Sequence, residues 1–169
     1  MKTFLFSHAR TALKYGLISS LYKKKTTIII PNYICEVVPR TIINSEFNIR
    51  YYKINHDFTP DWDDLNNKLN KDVSAILMVH FFGIQQNVNK FYDIAQKKKI
   101  LLIEDNAHSL INDSDNSNDY FDFSISSPRK NLNLFSGGSL TTKNFELDLS
   151  KISKYPIKPH QTLQKYHNK

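Results

Sequence analysis

A lysine in a serine-rich segment and two carboxylates after an apolar run are the residues of this chain best suited to chemistry. Glu104 and Asp105 follow the apolar residues 100–103, and Lys130 ends the segment Ser-Ser-Pro-Arg-Lys. An α/β fold binds its ligands at the carboxyl ends of its parallel strands, so an acid at that point is a candidate site residue. The amine of Lys130 can form a Schiff base with a carbonyl group, which makes it a candidate for covalent catalysis.

Together, these two groups suit pyridoxal 5'-phosphate. In enzymes that use this cofactor, a lysine holds it and an aspartate pairs with the pyridinium nitrogen, which strengthens electron withdrawal. Lys130 would exchange with the amino group of a donor and then move a proton at the carbon attached to nitrogen. Asp105 would keep the pyridinium protonated by charge pairing. Simpler roles are also open, because Asp105 could cap a following helix and Lys130 could be a solvated lysine beside Arg129.

Four segments resemble the DegT/DnrJ/StrS family of sugar aminotransferases, which have the aspartate aminotransferase fold. In chain order they are IIIPNYIC, ILMVHFFGI, LLIEDNAHS and SSPRKNLNLFSGGSL, and the resemblance covers about residues 6–142. It implies transfer of an amino group from an amino acid, with glutamate the expected donor, to a nucleotide-linked keto-sugar, a step of polysaccharide biosynthesis. It also implies a homodimer, since the family's site lies at a dimer interface.

The resemblance also assigns residues around the cofactor. The turn formed by Ser7, His8, Ala9 and Arg10 would hold the phosphate at the start of a helix, as helix N-termini can. Tyr33 would place its ring against the cofactor, and His108 would contact the cofactor's phenolic side. An ordinary capped helix and a partly buried surface tyrosine are the alternatives for the first two assignments.

A serine shortly before Lys130 contacts the phosphate in family members. Ser124, Ser126 and Ser127 are all available here. Ser127 fits members with a short spacing and Ser126 those with a longer one, so the sequence leaves the choice open. The pair Gly137 and Gly138 would allow a tight turn into the strand that follows the lysine segment.

The elements that must position these residues alternate between strand and helix patterns. This alternation predicts an α/β fold with a mostly parallel sheet and helices on both faces, similar to the large domain of a PLP-dependent transferase. Strands are expected at residues 26–30, 47–54, 73–79 and 100–103. Helices are expected at residues 9–22, 61–69 and 88–98, with a weaker helical pattern at 34–43. His80, at a strand end, is interpreted as structural rather than as a site residue.

The length of 169 residues predicts one domain. Residues 1–145 would form the cofactor-binding region and residues 146–169 a loosely ordered tail, with a solvated turn at 23–25 and a flexible polar loop at 112–118. The chain is considerably shorter than family members, so we expect a truncated form without the small domain. The alternative function is therefore an inactive relative that binds cofactor or a partner subunit without turnover.

The amino-acid composition argues against several other classes of protein. The net charge of +7 comes mostly from scattered lysines, and no basic stripe with interleaved aromatic residues predicts nucleic-acid binding. The one cysteine, Cys35, excludes an internal disulfide and suits a reducing cytosol. No apolar run has membrane-spanning length, and the N-terminal one is too short for a secretory signal. We therefore expect a cytoplasmic protein with no membrane partner, and the spacing of histidines and acids predicts no metal site.

Overall fold

One mixed β-sheet runs through the part of the chain that the structure, a computed structural model, describes: residues 1–21, 26–109, 120–143 and 145–147. Within these residues the strands are β1 (Lys2–Phe6), β2 (Thr27–Pro31), β3 (Asn48–Tyr52), β4 (Val73–Val79), β5 (Leu101–Asn106), β6 (Phe123–Ser126) and β7 (Gly138–Thr142). Their order in the sheet is β1-β7-β6-β5-β4-β2-β3. The pairs from β6 through β5, β4 and β2 to β3 are parallel, and β7 is antiparallel to both of its neighbours. The predicted mostly parallel sheet is confirmed.

Helices cover both faces of the sheet, as predicted. The described helices are α1 (Ala9–Leu21), α2 (Val37–Ile43), α3 (Trp62–Lys68), α4 (Val88–Lys98) and the short α5 (Pro128–Asn131). On one face α1 and α2 pack through residues such as Leu13 and Ile42. On the other face α3 and α4 pack through Leu65 and Phe91. Neighbouring residues of β2 such as Ile28 and Ile29 belong to different cores, because successive side chains of a strand point to opposite faces.

The predicted bounds hold best where the apolar pattern has clear ends. The strand at 73–79 and the helix at 88–98 are β4 and α4 with the bounds predicted. Asn87 begins α4 as a cap, since its Oδ1 accepts a hydrogen bond from Lys90 N at 3.1 Å. Pro39 lies in the first turn of α2, where a helix tolerates proline because the amide there has no partner within the helix.

Strand β5 extends further than its apolar run indicates. It continues to Asn106, so Glu104 and Asp105 lie within the strand rather than after it. The reason is pairing on both sides: Asp105 is in register with Val79 of β4 and Ile125 of β6. Backbone pairing in a central strand does not depend on the polarity of the side chains, so the strand extends beyond its apolar residues.

Three sequence-based predictions fall outside the described residues: the turn at 23–25, the loop at 112–118 and most of the tail at 146–169. Among the described residues, no secondary structure was predicted for the short apolar segment before α1. It is strand β1, which pairs with β7 at one edge of the sheet. No helix in the described ranges is long and apolar enough to cross a membrane.

Candidate functional site

A cavity of about 550 Å³ opens at the carboxyl ends of β2, β4, β5 and β6, on the face of the sheet that α1 and α2 cover. It contains most of the residues selected from the sequence. Those that line it are His8, Ala9, Arg10, Tyr33, Asp105, His108, Ser127 and Lys130. Ser7 and Ser126 are not among the lining residues. The topology thus brings together side chains from four separate parts of the chain.

Asp105 lies in the wall of this cavity near the end of β5. Its side chain is buried, with the residue 7% exposed, and Oδ1 accepts a hydrogen bond from Ala107 N at 2.9 Å. Burial raises the pKa of Asp105 above its ordinary value of 3.8, while the bond from Ala107 and the charge of Lys130 act in the opposite direction. A carboxylate that is costly to keep charged in this way is stabilised by a positive partner, so the position favours a cationic group of a ligand.

Lys130 reaches the same cavity from α5, the four-residue helix that follows β6. Its backbone N donates to Ser127 O at 3.0 Å, which holds the short turn together. The lysine is exposed at the cavity, and its charge acts on both Asp105 and His108. An amine and a buried carboxyl group therefore face one binding volume, the arrangement predicted from their types.

Ser126 and Ser127 differ sharply in their surroundings. The hydroxyl group of Ser126 hydrogen bonds to Ser139 Oγ at 2.6 Å, so it links β6 to β7. Ser127 is 2% exposed, and its Oγ has no hydrogen-bond partner among the described residues. A buried polar atom without a partner is uncommon and points to a group that a ligand satisfies. The geometry thus distinguishes two residues that the sequence left equivalent.

The start of α1 lies against the first residue of β7. His8 O accepts bonds from Thr11 N and Ala12 N, so the helix begins at Ala9, and Ser7 O accepts from Gly137 N at 2.8 Å. A Cβ on Gly138 would overlap the backbone of His8. The close approach that only glycine allows is therefore made from β7, by one of the two glycines for which the sequence predicted a tight turn. This close packing places the start of α1 at the cavity, and the first amides of a helix have no acceptor within it.

Aromatic residues surround the mouth of the cavity. The Tyr33 ring, in a residue that is 53% exposed, lies 5.7 Å from both Phe58 and Phe81. Phe82 was not selected from the sequence. Its ring stacks on His108 with centroids 5.8 Å apart, and its backbone N donates to His108 Nδ1 at 3.3 Å. Phe82 has φ of 54°, a left-handed conformation that sequence patterns do not reveal in a non-glycine residue.

The hydrogen bond from Phe82 defines what His108 can offer a ligand. Because Nδ1 accepts, the proton of the neutral ring sits on Nε2, which is then a donor. Burial lowers the pKa of His108, the charge of Lys130 lowers it further, and Asp105 opposes both. The lowered pKa favours the neutral ring, in which Nε2 is the hydrogen-bond donor at the cavity.

The charges that line the cavity are mainly positive. Among the described residues, the basic side chains that line it are Arg10, Arg129 and Lys130 besides the histidines, and the acidic one is Asp105. Arg129 was not selected from the sequence, yet its buried Nε has no hydrogen-bond acceptor in the part of the chain that the structure describes. The site can therefore bind an anionic group near the arginines and a cationic group at Asp105, with an amine beside them.

A sequence profile of the DegT/DnrJ/EryC1/StrS aminotransferase family matches residues 5–165. No curated protein sequence matches the chain. Among solved structures, ntda from Bacillus subtilis with bound cofactor PMP has a TM-score of 0.76 and 22% identity over 86% of this chain and 34% of that one. PseC from Helicobacter pylori, an aminotransferase involved in the biosynthesis of pseudoaminic acid, has a TM-score of 0.72 and 19% identity over 91% of this chain and 43% of that one.

Spr1654 from Streptococcus pneumoniae, in its apo form, has a TM-score of 0.76 and 22% identity over 91% of this chain and 44% of that one. At these identities the likeness shows the fold, and it confirms the fold expected from the four segments. This chain spans from 34% to 44% of the length of these three structures.

Proposed function

This chain belongs to the DegT/DnrJ/EryC1/StrS aminotransferase family, and we propose that its cavity binds pyridoxal 5'-phosphate for amino-group transfer. The proposed donor is an amino acid, glutamate in the first instance, and the proposed acceptor is a nucleotide-linked keto-sugar. One observation carries the proposal: Lys130 and Asp105, the lysine and the acid that this cofactor needs, line one cavity.

The polar atoms of the cavity fit the cofactor. Ser127 Oγ and Arg129 Nε are buried donors for which the described residues supply no acceptor, and a phosphate offers acceptors to both. The first amides of α1 add further donors and the positive end of the helix dipole. At the other end of the site, a protonated pyridine nitrogen would give the buried Asp105 carboxylate a positive partner within the ligand. Family membership and the PLP form of Spr1654 give further support for this cofactor.

Each side chain has a definite task in this proposal. When bound, the cofactor withdraws electrons from the carbon that carries the amino group. Lys130 would hold the cofactor covalently at rest and carry a proton to and from that carbon during transfer. Asp105 would hold the proton on the pyridine nitrogen, and His108 would donate from Nε2 to the phenolic oxygen. Tyr33 would limit the ring's movement from one side.

The proposal extends to a second copy of the chain and to the compartment. Lys130 and His108 are exposed, so the described residues leave the cavity open to water on one side. The apolar residues Leu132, Leu134 and Phe135 follow directly after α5 and are also exposed. A homodimer that covers these residues would enclose the site, which such chemistry requires. A nucleotide-linked substrate and the single cysteine Cys35 suit the cytoplasm.

Labelling by reduction tests the cofactor site. Pyridoxal phosphate is added to the chain, the visible spectrum is recorded, and borohydride then makes any lysine attachment permanent for peptide mapping. We expect the label on Lys130, its loss in Lys130→Ala, and no change in Lys97→Ala, which alters an exposed lysine on α4. Label spread over surface lysines, with Lys130→Ala equal to the wild type, would contradict the proposal.

A second candidate is a relative that binds the cofactor without turnover. The exposed position of Lys130 favours it, because water at the reacting carbon competes with ordered proton transfer. Addition of glutamate to a cofactor-loaded sample that has not been treated with borohydride distinguishes the two. Conversion of the bound cofactor to its amino form, with release of 2-oxoglutarate, supports the transaminase. A specific label on Lys130 without that conversion supports the binding protein.

A further inference from the structure

A buried histidine and glutamate lie beside Asp105 but outside the cavity. His80 follows β4, and its Nε2 is 3.0 Å from Glu104 Oε1, with side-chain exposures of 3% and 2%. Because neighbouring residues of a strand point to opposite faces, Glu104 lies on the side of β5 opposite to Asp105. Neither His80 nor Glu104 is among the cavity-lining residues, and the proposed chemistry uses neither.

The direction of the hydrogen bonds at His80 is determined by a backbone amide. Gln86 N donates to His80 Nδ1 at 3.1 Å, and an amide N–H can only donate. Nδ1 is therefore the acceptor, and the ring proton sits on Nε2, from which it donates to Glu104 Oε1. Gln86 is itself anchored through its side chain, which donates to Phe58 O at 3.2 Å.

His80 holds the end of β5 at two points. Besides the ring contact with Glu104, its backbone N donates to Asp105 O at 3.1 Å. This bond lies just past the last residue of β4, Val79, where a strand pair would otherwise begin to separate. Both Glu104 and Asp105 are thus bonded to one residue, which restrains the strand backbone from which the Asp105 side chain projects.

Burial of the Glu104 side chain has a cost in folding stability. Its Oε2 has no hydrogen-bond partner within the described ranges, and a buried carboxyl group with an unsatisfied oxygen disfavours folding. An apolar residue would fill a core position of a central strand at lower cost. A role in orienting its neighbours therefore explains the buried Glu104 carboxyl group better than a contribution to stability does.

We propose that His80 is a positioning residue: its bonds to Glu104 and to the Asp105 backbone orient the Asp105 carboxyl group toward the cofactor nitrogen. This inference rests on the proposed function, since it assigns Asp105 that partner. It is distinct from the cofactor contacts, because His80 and Glu104 act through the strand and touch no ligand.

Two substitutions, each of which preserves one of the two ring contacts of His80, separate the contact with Gln86 from the contact with Glu104. His80→Asn keeps an acceptor near the position of Nδ1 for Gln86 N but is too short to reach Glu104. His80→Gln keeps a donor near the position of Nε2 for Glu104. Tyr52→Phe is the matched control: it removes a buried bond, Tyr52 OH to Leu77 O at 3.0 Å, on the same face of the sheet as Glu104. All are made in the full chain.

The readouts are affinity for pyridoxal phosphate, urea unfolding and ¹⁵N NMR of the histidine ring. We expect His80→Asn to weaken affinity about tenfold, the lower range for loss of an orienting partner, and His80→Gln to recover most of it. Tyr52→Phe should lower resistance to urea and leave affinity unchanged. The NMR spectrum of the wild type should show the His80 proton on Nε2.

A double-mutant cycle with Asp105→Asn identifies the route of the effect. If His80 acts through Asp105, His80→Asn should no longer weaken affinity once Asp105 is replaced. The inference is overturned if His80→Asn binds the cofactor like Tyr52→Phe, or if it weakens binding equally with and without Asp105. If Asp105→Asn alone binds like the wild type, the proposed function itself fails, a result that the other two outcomes do not resemble.

Discussion

Ser126 and Ser127 are neighbours in the chain, yet their hydroxyl groups serve different purposes. The Ser126 hydroxyl joins two strands through Ser139, and the Ser127 hydroxyl is buried at the cavity and has no partner in the described part of the chain. In general, loss of a satisfied hydrogen bond lowers stability, whereas loss of an unsatisfied polar group does not. The pair therefore offers a direct separation of structural and ligand-binding roles.

Alanine substitution of each serine should give opposite results. We expect Ser126→Ala to lower the free energy of unfolding by about 1 kcal/mol and leave cofactor affinity nearly unchanged. Ser127→Ala should retain or slightly raise stability and weaken binding of pyridoxal phosphate. Urea unfolding and a cofactor titration measure the two effects. The reverse pattern would show that Ser126 contacts the phosphate, the choice that the sequence left open.

Asp105 should make stability depend on pH in a defined direction. Burial raises its pKa, so between the ordinary value of 3.8 and the raised value the unfolded chain binds fewer protons than the folded one. Stability of the wild type therefore falls as pH rises through this window, and the loss persists above it.

Asp105→Asn removes this ionisation and keeps an oxygen for the bond from Ala107 N. We expect the variant to unfold at higher urea concentration than the wild type at neutral pH and to lose that advantage below the ordinary carboxyl pKa. It should also bind pyridoxal phosphate more weakly. Urea unfolding of both proteins across the pH range checks the sign. An advantage that is the same at all pH values would exclude the buried charge as its source.

At the scale of elements, α1 depends on two glycines that permit close packing against the sheet. A Cβ on Gly16 would lie 2.5 Å from the ring of Phe123, which is fully buried and cannot swing aside. A Cβ on Gly138 would meet the backbone of His8 instead. The first contact holds the middle of the helix to the sheet, and the second holds its start at the cavity.

Alanine at either glycine should destabilise the protein by about 1–3 kcal/mol, the usual cost of overpacking. The gain in helix propensity at Gly16, about 1 kcal/mol, offsets part of the loss there. We expect Gly138→Ala to weaken cofactor binding as well, because it displaces the start of α1, whereas Gly16→Ala should affect mainly stability. Urea unfolding and cofactor titration of both variants measure this difference. Equal affinities would argue against a role of the α1 start in binding.

At the scale of the whole molecule, the open side of the cavity adjoins exposed apolar residues. Leu132, Leu134 and Phe135 follow the lysine helix, and Phe135 is 96% exposed. Exposed apolar clusters of this kind mark interaction surfaces. Their position next to Lys130 is what the proposed homodimer requires.

Replacement of Phe135 by serine should weaken self-association. We expect sedimentation velocity to show a dimer for the wild type and a shift toward monomer for Phe135→Ser, with no loss of monomer stability, because the side chain has few contacts within its own chain. Leu5→Ser, at an 83% exposed position on the edge strand β1, is the control and should remain dimeric. A wild type that is monomeric at all concentrations would refute the proposed dimer.

The sequence by itself determined the type and order of the elements from α1 to β5, because helix and strand periodicities are local properties of the chain. The apolar pattern placed β4 and α4 correctly, and the family motifs indicated the fold that the solved structures confirm. It also selected Asp105 and Lys130, which the structure places at one cavity. Their roles there stay predictions until a cofactor is bound.

Only the tertiary structure decided which partners these residues have. Strand β5 continues through its carboxylates because β4 and β6 pair with it, and β1 is a strand because β7 lies beside it. The difference between the two serines, the contact of Phe82 with His108 and the link from His80 to Glu104 depend in the same way on residues distant in the chain. No local pattern records such contacts, because each arises only when the sheet brings separate segments together.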